Sequence, residues 1–270
     1  MDVSQYLIRI GYQGPAQPSL ETLRRLHLCH LFSVPFGSLS IHCKEPITLE
    51  LPLLYDKIVR RHRGGFCYEL NGLFLWLLQT LGFEAKAVAG RVRNRFTGHY
   101  GPPLDHMVIW VQLDGRSFLC DVGFGEAFQE PLELIPNTEQ VQEGGVFWLG
   151  MKEGVWILER REVPGKEGRP LYQFTLEEKK LDDFADMCIY HQTSPSSIFP
   201  CKSFCSLQKE DGTRLTYMGW RLISTSGEKR TETVLQSSEI PAVLREKFKI
   251  ELEGNFEPKD EEILPPPEED

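Results

Sequence analysis

Leu70, Leu73, Phe74, Leu77, Leu78 and Leu81 recur at i, i+3, i+4 and i+7, which predicts a buried helix stopped by Gly82. Gly64 and Gly65 lead into it and permit a tight turn and close approach of another group. Upstream, Leu20, Leu23, Leu26 and His27 repeat at helical spacing behind Ser19, an N-cap type, and Pro35 ends that helix. From Glu84 the pattern changes. The runs 85–92, 107–113, 117–122, 146–149, 155–159 and 172–175 read as strands, separated by turn pairs such as Asp114-Gly115, Gly144-Gly145 and Pro164-Gly165. Short crossings predict an antiparallel sheet able to close into a barrel. Helical spacing returns over 181–190, with Asp182 and Asp183 complementing the dipole of its first turn. Strand patterns occupy 213–225 and 229–235, and a short helix 241–248. The fold class is α+β. Residues 1–83 form an N-terminal helical bundle, 84–180 an antiparallel β-barrel domain, 181–212 a helical interdomain segment, and 213–256 a C-terminal mixed α/β lid. Residues 257–270 form an acidic tail, disordered or loosely laid on the surface.

Composition narrows the class. Apolar residues make up 41% and charged residues 26% of 270, ordinary for a globular chain with a sizeable core. Net charge is −9, of which the last fourteen residues carry −6, so the remainder is too balanced for a nucleic-acid binder. The longest apolar run, Leu73 to Leu78, is too short to span a bilayer, and the opening Met1-Asp2-Val3-Ser4-Gln5 carries no export signal. Seven cysteines without tidy spacing argue against a disulfide framework and fit a reducing cytosol. The expectation is a cytoplasmic monomer.

Candidate chemistry starts at Cys67, at the beginning of the glycine-led helix. Free N–H groups and the helix dipole there favour a thiolate, although a buried core thiol fits the same pattern. The Asp114-Gly115 turn predicts a type I′ hairpin with Leu113 opposite Arg116. That register makes His106 and Asp121 diagonal neighbours on one face, with Cα atoms roughly 7–8 Å apart. A carboxylate holding an imidazole near a thiol is the logic of a triad; an isolated His–Asp pair is as readily structural. His27, Cys29 and His30 have no matched downstream ligand pair and read as packing or surface residues, and no metal is expected. Cys201 and Cys205 read as core thiols. Arg91, Arg93 and Arg95 share one strand face, a solvent-facing stripe with phosphate docking as the alternative.

The stretch Arg63-Gly64-Gly65-Phe66-Cys67-Tyr68-Glu69-Leu70-Asn71, then His106, then Asp121-Val122-Gly123-Phe124-Gly125, resembles the arylamine N-acetyltransferase family. Tyr6 to Tyr12, Val34-Pro35-Phe36 and Tyr190 to Ser196 agree with it. The likeness runs in order over about the first 225 residues and implies a cysteine-protease-like core. It further implies acetyl transfer from acetyl-coenzyme A, the co-substrate, to the nitrogen of an arylamine or hydrazine. Cys67 would be the nucleophile, His106 the base and Asp121 its orienter, in a ping-pong cycle through an acetyl-cysteine. By the same resemblance Phe36, Val92, Asp105, Phe124 and Phe128 contact the acceptor, and Pro102, Tyr190 and Ser196 the coenzyme. Gly37 and Ser38 depart from the acidic residue and asparagine usual in the family. The short 164–171 connection lacks the insertion common in vertebrate members, which leaves that side of the cleft more open. Glu126, if it faces the pocket, is expected to disfavour acceptors bearing a carboxylate. The alternatives are a papain- or transglutaminase-like hydrolase or transamidase, and an inactive binding homologue.

Overall fold

The structure is a computed structural model that describes residues 1–265 apart from 96, 127 and 228. Its N-terminal part is helical: α1 (Val3–Arg9), α2 (Leu20–Ser33), the two-residue strand β1 (Phe36–Gly37), α3 (Leu39–His42), α4 (Leu51–Tyr55) and α5 (Cys67–Thr80). α2 begins where Ser19 accepts a hydrogen bond from the Thr22 N–H. α5 buries Leu70, Leu73, Phe74, Leu77 and Leu78 completely, so it lies inside the core. Gly82, at φ +91°, turns the chain out of it.

The strands β2 (Glu84–Val92), β3 (His106–Leu113), β4 (Arg116–Cys120), β5 (Leu132–Glu133), β6 (Thr138–Gln142), β7 (Gly145–Lys152), β8 (Val155–Arg161) and β9 (Arg169–Lys179) follow. They form one antiparallel sheet in the order β5-β4-β3-β2-β9-β8-β7-β6. The two ends meet through side chains. Gln140 accepts from the Glu133 N–H at 2.9 Å and donates to its carbonyl at 2.8 Å. Gln142 accepts from the N–H groups of Gln129 and Glu130, both at 3.0 Å, and donates to the Glu130 carbonyl at 2.7 Å. Phe128, Phe147, Leu158 and Leu171 fill the interior.

The remaining elements are α6 (Ala185–Thr193), α7 (Ile198–Cys201), β10 (Phe204–Gln208), β11 (Arg214–Met218), β12 (Arg221–Ser226), β13 (Lys229–Val234) and α8 (Ile240–Phe248). β10 falls within the stretch expected to be helical; Phe204, Cys205 and Leu207 are buried and pair it between β1 and β11. The departure at Gly37 has a steric reason here. A Cβ on Gly37 would lie 2.2 Å from the Phe204 carbonyl oxygen, so the β1–β10 approach excludes a side chain.

Of the acidic tail, residues 266–270 lie outside the described residues. Residues 257–265 are laid along the molecule: Ser203 N–H donates to the Lys259 carbonyl, Glu261 N–H to Cys201, and Leu264 N–H to Pro195. Asp260 pairs with both Lys202 and Arg221. Of the other tail acids, Glu257 pairs with Lys44 and Glu261 with Lys259 of the tail itself. Among the described residues, no helix is long and apolar enough to cross a membrane.

Candidate active site

Cys67 is the first residue of α5. The helix start is secured by Glu69, whose carboxylate accepts from the Phe66 N–H at 3.1 Å and pairs with the buried Lys57. The two glycines before it allow backbone contact with the Pro35–Gly37 strand. Gly65 N–H donates to the Pro35 carbonyl at 3.2 Å, and Gly37 N–H to Gly65 at 2.8 Å. A Cβ on Gly64 would sit 2.1 Å from the Pro35 oxygen. The Arg63-Gly64-Gly65 stretch thus brings Phe36 beside the thiol-bearing helix.

The β3–β4 hairpin turns at Asp114 (φ 51°) and Gly115 (φ 73°), both left-handed as a type I′ turn requires, with Leu113 opposite Arg116. This register carries His106 to Asp121. His106 Nε2 lies 2.8 Å from Asp121 Oδ2, with both side chains buried. The other carboxylate oxygen accepts from Asn71 Nδ2 at 2.9 Å and from the Gly123 N–H at 3.0 Å. Asn71 also donates to the Met107 carbonyl at 2.7 Å and accepts from the Val122 N–H at 2.9 Å, so it ties α5 to both strands. Burial alone would raise the Asp121 carboxyl. The charge of His106 and the hydrogen bonds from His106, Asn71 and Gly123 outweigh it and hold the group below its ordinary value.

Cys67 departs from the sequence expectation in one respect. Burial pushes its thiol well up, and the Asp121 and Asp105 charges add to the rise, while the Met107 N–H that faces the sulfur lowers it. Desolvation therefore exceeds the pull of the helix N-terminus. His106 stands one residue before Met107, whose N–H faces the sulfur. Its Nε2 is engaged by Asp121.

A family model described as N-acetyltransferase matches residues 19–256. The chain is 38% identical to human arylamine N-acetyltransferase 1 over 283 residues, covering 96% of this chain and 97% of the relative. The chain belongs to the arylamine N-acetyltransferase family. The enzyme from Salmonella typhimurium superposes with a TM-score of 0.86 at 26% identity, covering 92% of this chain and 90% of that one. The Mycobacterium marinum enzyme in complex with CoA superposes with a TM-score of 0.83 at 29% identity, covering 92% and 93%. The mixed α+β architecture with its near-closed barrel is thus that of the family, whose members share a cysteine-protease-like fold.

Of the acceptor residues the resemblance implies, Phe36 and Phe124 are half-buried and close to the Cys67–His106 region. Phe124 lies 5.3 Å from the His106 ring, and a Cβ on Gly125 would meet the Phe36 ring at 3.5 Å. Val92 is half-buried at the end of β2, its N–H donating to Asp105 Oδ1 at 3.0 Å. Asp105 is buried, and burial pushes its carboxyl up to about 7. Phe128 is different. It has no exposed surface and stacks on His27 at 5.5 Å, so it is a barrel-core residue rather than a wall of an open pocket. Pro102 is exposed; Tyr190, on α6, is half-buried. Ser196 Oγ donates to the Pro265 carbonyl at 3.1 Å, which puts the C-terminal stretch on that segment.

Two residues at the site carried no role in the sequence reading. Tyr172 is fully buried on β9 with its ring 5.0 Å from His106. His27 accepts from the Asp121 N–H and contacts the Gln129 carbonyl. The i, i+4 spacing from Cys67 already puts Asn71 on the thiol's helix face. Nothing local in the sequence marks Tyr172 or His27.

Proposed function

We propose that this chain transfers the acetyl group of acetyl-coenzyme A to the nitrogen of arylamines or hydrazines, with Cys67 as nucleophile, His106 as base and Asp121 as orienter. The observation that carries this reading is the 2.8 Å His106–Asp121 contact beside a thiol at the head of α5. Proton transfer from Cys67 to His106 Nδ1 produces a thiolate beside an imidazolium, which Asp121 stabilises without taking the proton. The sulfur attacks the thioester carbonyl, the bond to the coenzyme sulfur breaks, and free coenzyme A leaves with the proton. The amine nitrogen then attacks the acetyl-cysteine, giving its proton to His106 as the thiolate departs. Such a sequence gives ping-pong kinetics. Phe36, Phe124 and Val92 contact the acceptor ring, whose flat face suits aromatic neighbours. Tyr190, Ser196 and the Gly101–Asp105 segment, with Pro102, face the coenzyme. The enzyme works as a monomer in a reducing cytosol, where its seven unpaired cysteines are stable.

Intact mass after mixing with acetyl-coenzyme A tests this. One added acetyl group on the native protein, absent from Cys67→Ala and discharged by an arylamine, is expected. A folded protein that gains no acetyl group overturns the reading.

A further inference from the structure

Leu104 holds a left-handed backbone, at φ 66°, two residues before the base His106. A leucine has no local reason to adopt that conformation, and it persists only where the surroundings over-determine it. Two hydrogen bonds do so here. Tyr68, the residue after the nucleophile, donates its hydroxyl to the Leu104 carbonyl at 2.6 Å. His191 of α6 lies 3.1 Å through Nε2 from the Asp105 carbonyl. A carbonyl only accepts, so Nε2 carries the proton, and Nδ1 accepts from the Ser197 hydroxyl at 2.8 Å. Ser197 Oγ accepts in turn from the Phe199 N–H at 3.4 Å, capping α7.

The residues on both sides of Cys67 pack on this imidazole. The Phe66 ring is 6.5 Å from it and the Tyr68 ring 5.9 Å, centre to centre. Along the chain His191 follows Tyr190 and leads into the turn of Ser196, the two residues read above as facing the coenzyme. One buried side chain therefore meets the flanks of the nucleophile, the backbone just before the base and the coenzyme segment. Burial pushes its pKa down to about 4, so the ring is neutral and takes no part as a charge. Filling this space with carbon would avoid the desolvation cost of a polar ring. What the imidazole adds is direction, since each nitrogen has one partner and neither can exchange roles.

Resting on the acetyl-transfer reading above, we propose that His191 is a positioning residue: its bond to the Asp105 carbonyl, with that of Tyr68 to Leu104, holds the strained 104–105 backbone that sets the pose of His106. Without the Nε2–H donor, Leu104 relaxes from its left-handed conformation and the peptide ahead of His106 turns. The imidazole then leaves the alignment in which it moves a proton for Cys67, and small misplacements of a catalytic group are expensive. His191 itself touches neither substrate nor the reacting atoms.

The test sets His191→Asn against His191→Gln. Asparagine keeps a polar atom near the Nδ1 position but is too short to reach Asp105; glutamine puts an amide N–H where Nε2 stands. Acetylation of Cys67 is followed by intact mass with two donors, acetyl-coenzyme A and p-nitrophenyl acetate, which lacks the coenzyme. His191→Asn is expected to slow acetylation about fivefold to tenfold with either donor. The half-saturating concentration of acetyl-coenzyme A stays within about twofold of native, and His191→Gln restores the rate to within about twofold. Native rates in both variants overturn the positioning role. So does a loss seen only as weaker acetyl-coenzyme A binding, because His191 then serves the coenzyme alone. Glutamine no better than asparagine also overturns it, since packing and not the donor is then at stake. Where His191→Asn does not fold, Tyr68→Phe removes one hydroxyl from the same turn; it shows the same donor-independent fall, and an unchanged rate overturns the role of the turn. A native protein that takes no acetyl group from either donor overturns the acetyl-transfer reading with it.

Discussion

The backbone N–H of Asp121 donates to Nε2 of His27 at 3.1 Å, across 94 positions of sequence. Nε2 is therefore the acceptor, and the proton resides on Nδ1, 2.7 Å from the Gln129 carbonyl. A neutral imidazole on α2 holds both ends of the loop that carries Phe124 and Glu126. Burial pushes the His27 pKa down to about 4 and keeps the ring neutral through the physiological range. His27→Phe retains the stack on Phe128 but leaves a buried N–H and a buried carbonyl unpaired. The expected cost is about 3 kcal/mol, seen in thermal melts as a fall in Tm of roughly 5–10 °C.

Stability should rise with pH between about 4 and 6.5. His27 and His191, both with pKa values pushed down to about 4 by burial, bind protons in the unfolded chain across that window but not in the native one. Asp105, pushed up to about 7, does the opposite, binding a proton in the native state and releasing it on unfolding. With His30, whose pKa burial also pushes well below its ordinary value, three histidines act against one carboxyl and leave a net slope in favour of higher pH. Asp105→Asn removes the opposing group and steepens the slope. Urea titrations at several pH values measure it; a slope that is flat in the native protein and unchanged in the variant contradicts the assignment.

Asn71→Ala removes a hydrogen bond to the Asp121 carboxylate and cuts a tie between α5 and β3. A bond to a charged group is worth about 1.5–3 kcal/mol, so kcat/KM for acetyl transfer falls about tenfold to a hundredfold. Asp121→Asn is more severe, since it removes the counter-charge that sustains the imidazolium; a loss on the order of 10⁴ in kcat is expected. Steady-state kinetics with a single acceptor ranks the two.

Gly123→Ala places a methyl 2.7 Å from the Cys67 Cα and 2.8 Å from Asn71 Nδ2, both held by α5. Backbone must shift at the nucleophile itself. The expected variant folds, as circular dichroism checks, yet accumulates little acetyl-enzyme.

The hairpin that joins His106 to Asp121 was legible because Asp114-Gly115 determines the register, and a register determines which side chains share a face. The helix behind Cys67 was legible from its leucine period. Other parts have no comparable local signal. β5 is two residues long, and β6 reads Thr-Glu-Gln-Val-Gln, too polar to score as a half-buried strand. β10 contains Cys205 and runs into a charged turn, and its partners β1 and β11 make it a strand. The arginines that pair with Glu126 come from positions 95, 169 and 214, whose proximity is a product of topology and of no pattern along the chain. The thiol's raised pKa came from burial, which the helix-end rule leaves out. Phe128 was misplaced because the resemblance that puts Phe124 at the pocket does not tell a pocket wall from the barrel interior four residues on.

The glutamine contacts that join β5 to β6 bear on how the molecule behaves in a crowd. An open strand end offers unpaired N–H and carbonyl groups to any neighbouring chain and so invites edge-to-edge aggregation. Here the side chains of Gln140 and Gln142 already occupy the backbone groups of Glu130 and Glu133. The barrel is sealed against recruitment of a foreign strand at its one discontinuity, without the longer strands that full backbone closure would demand.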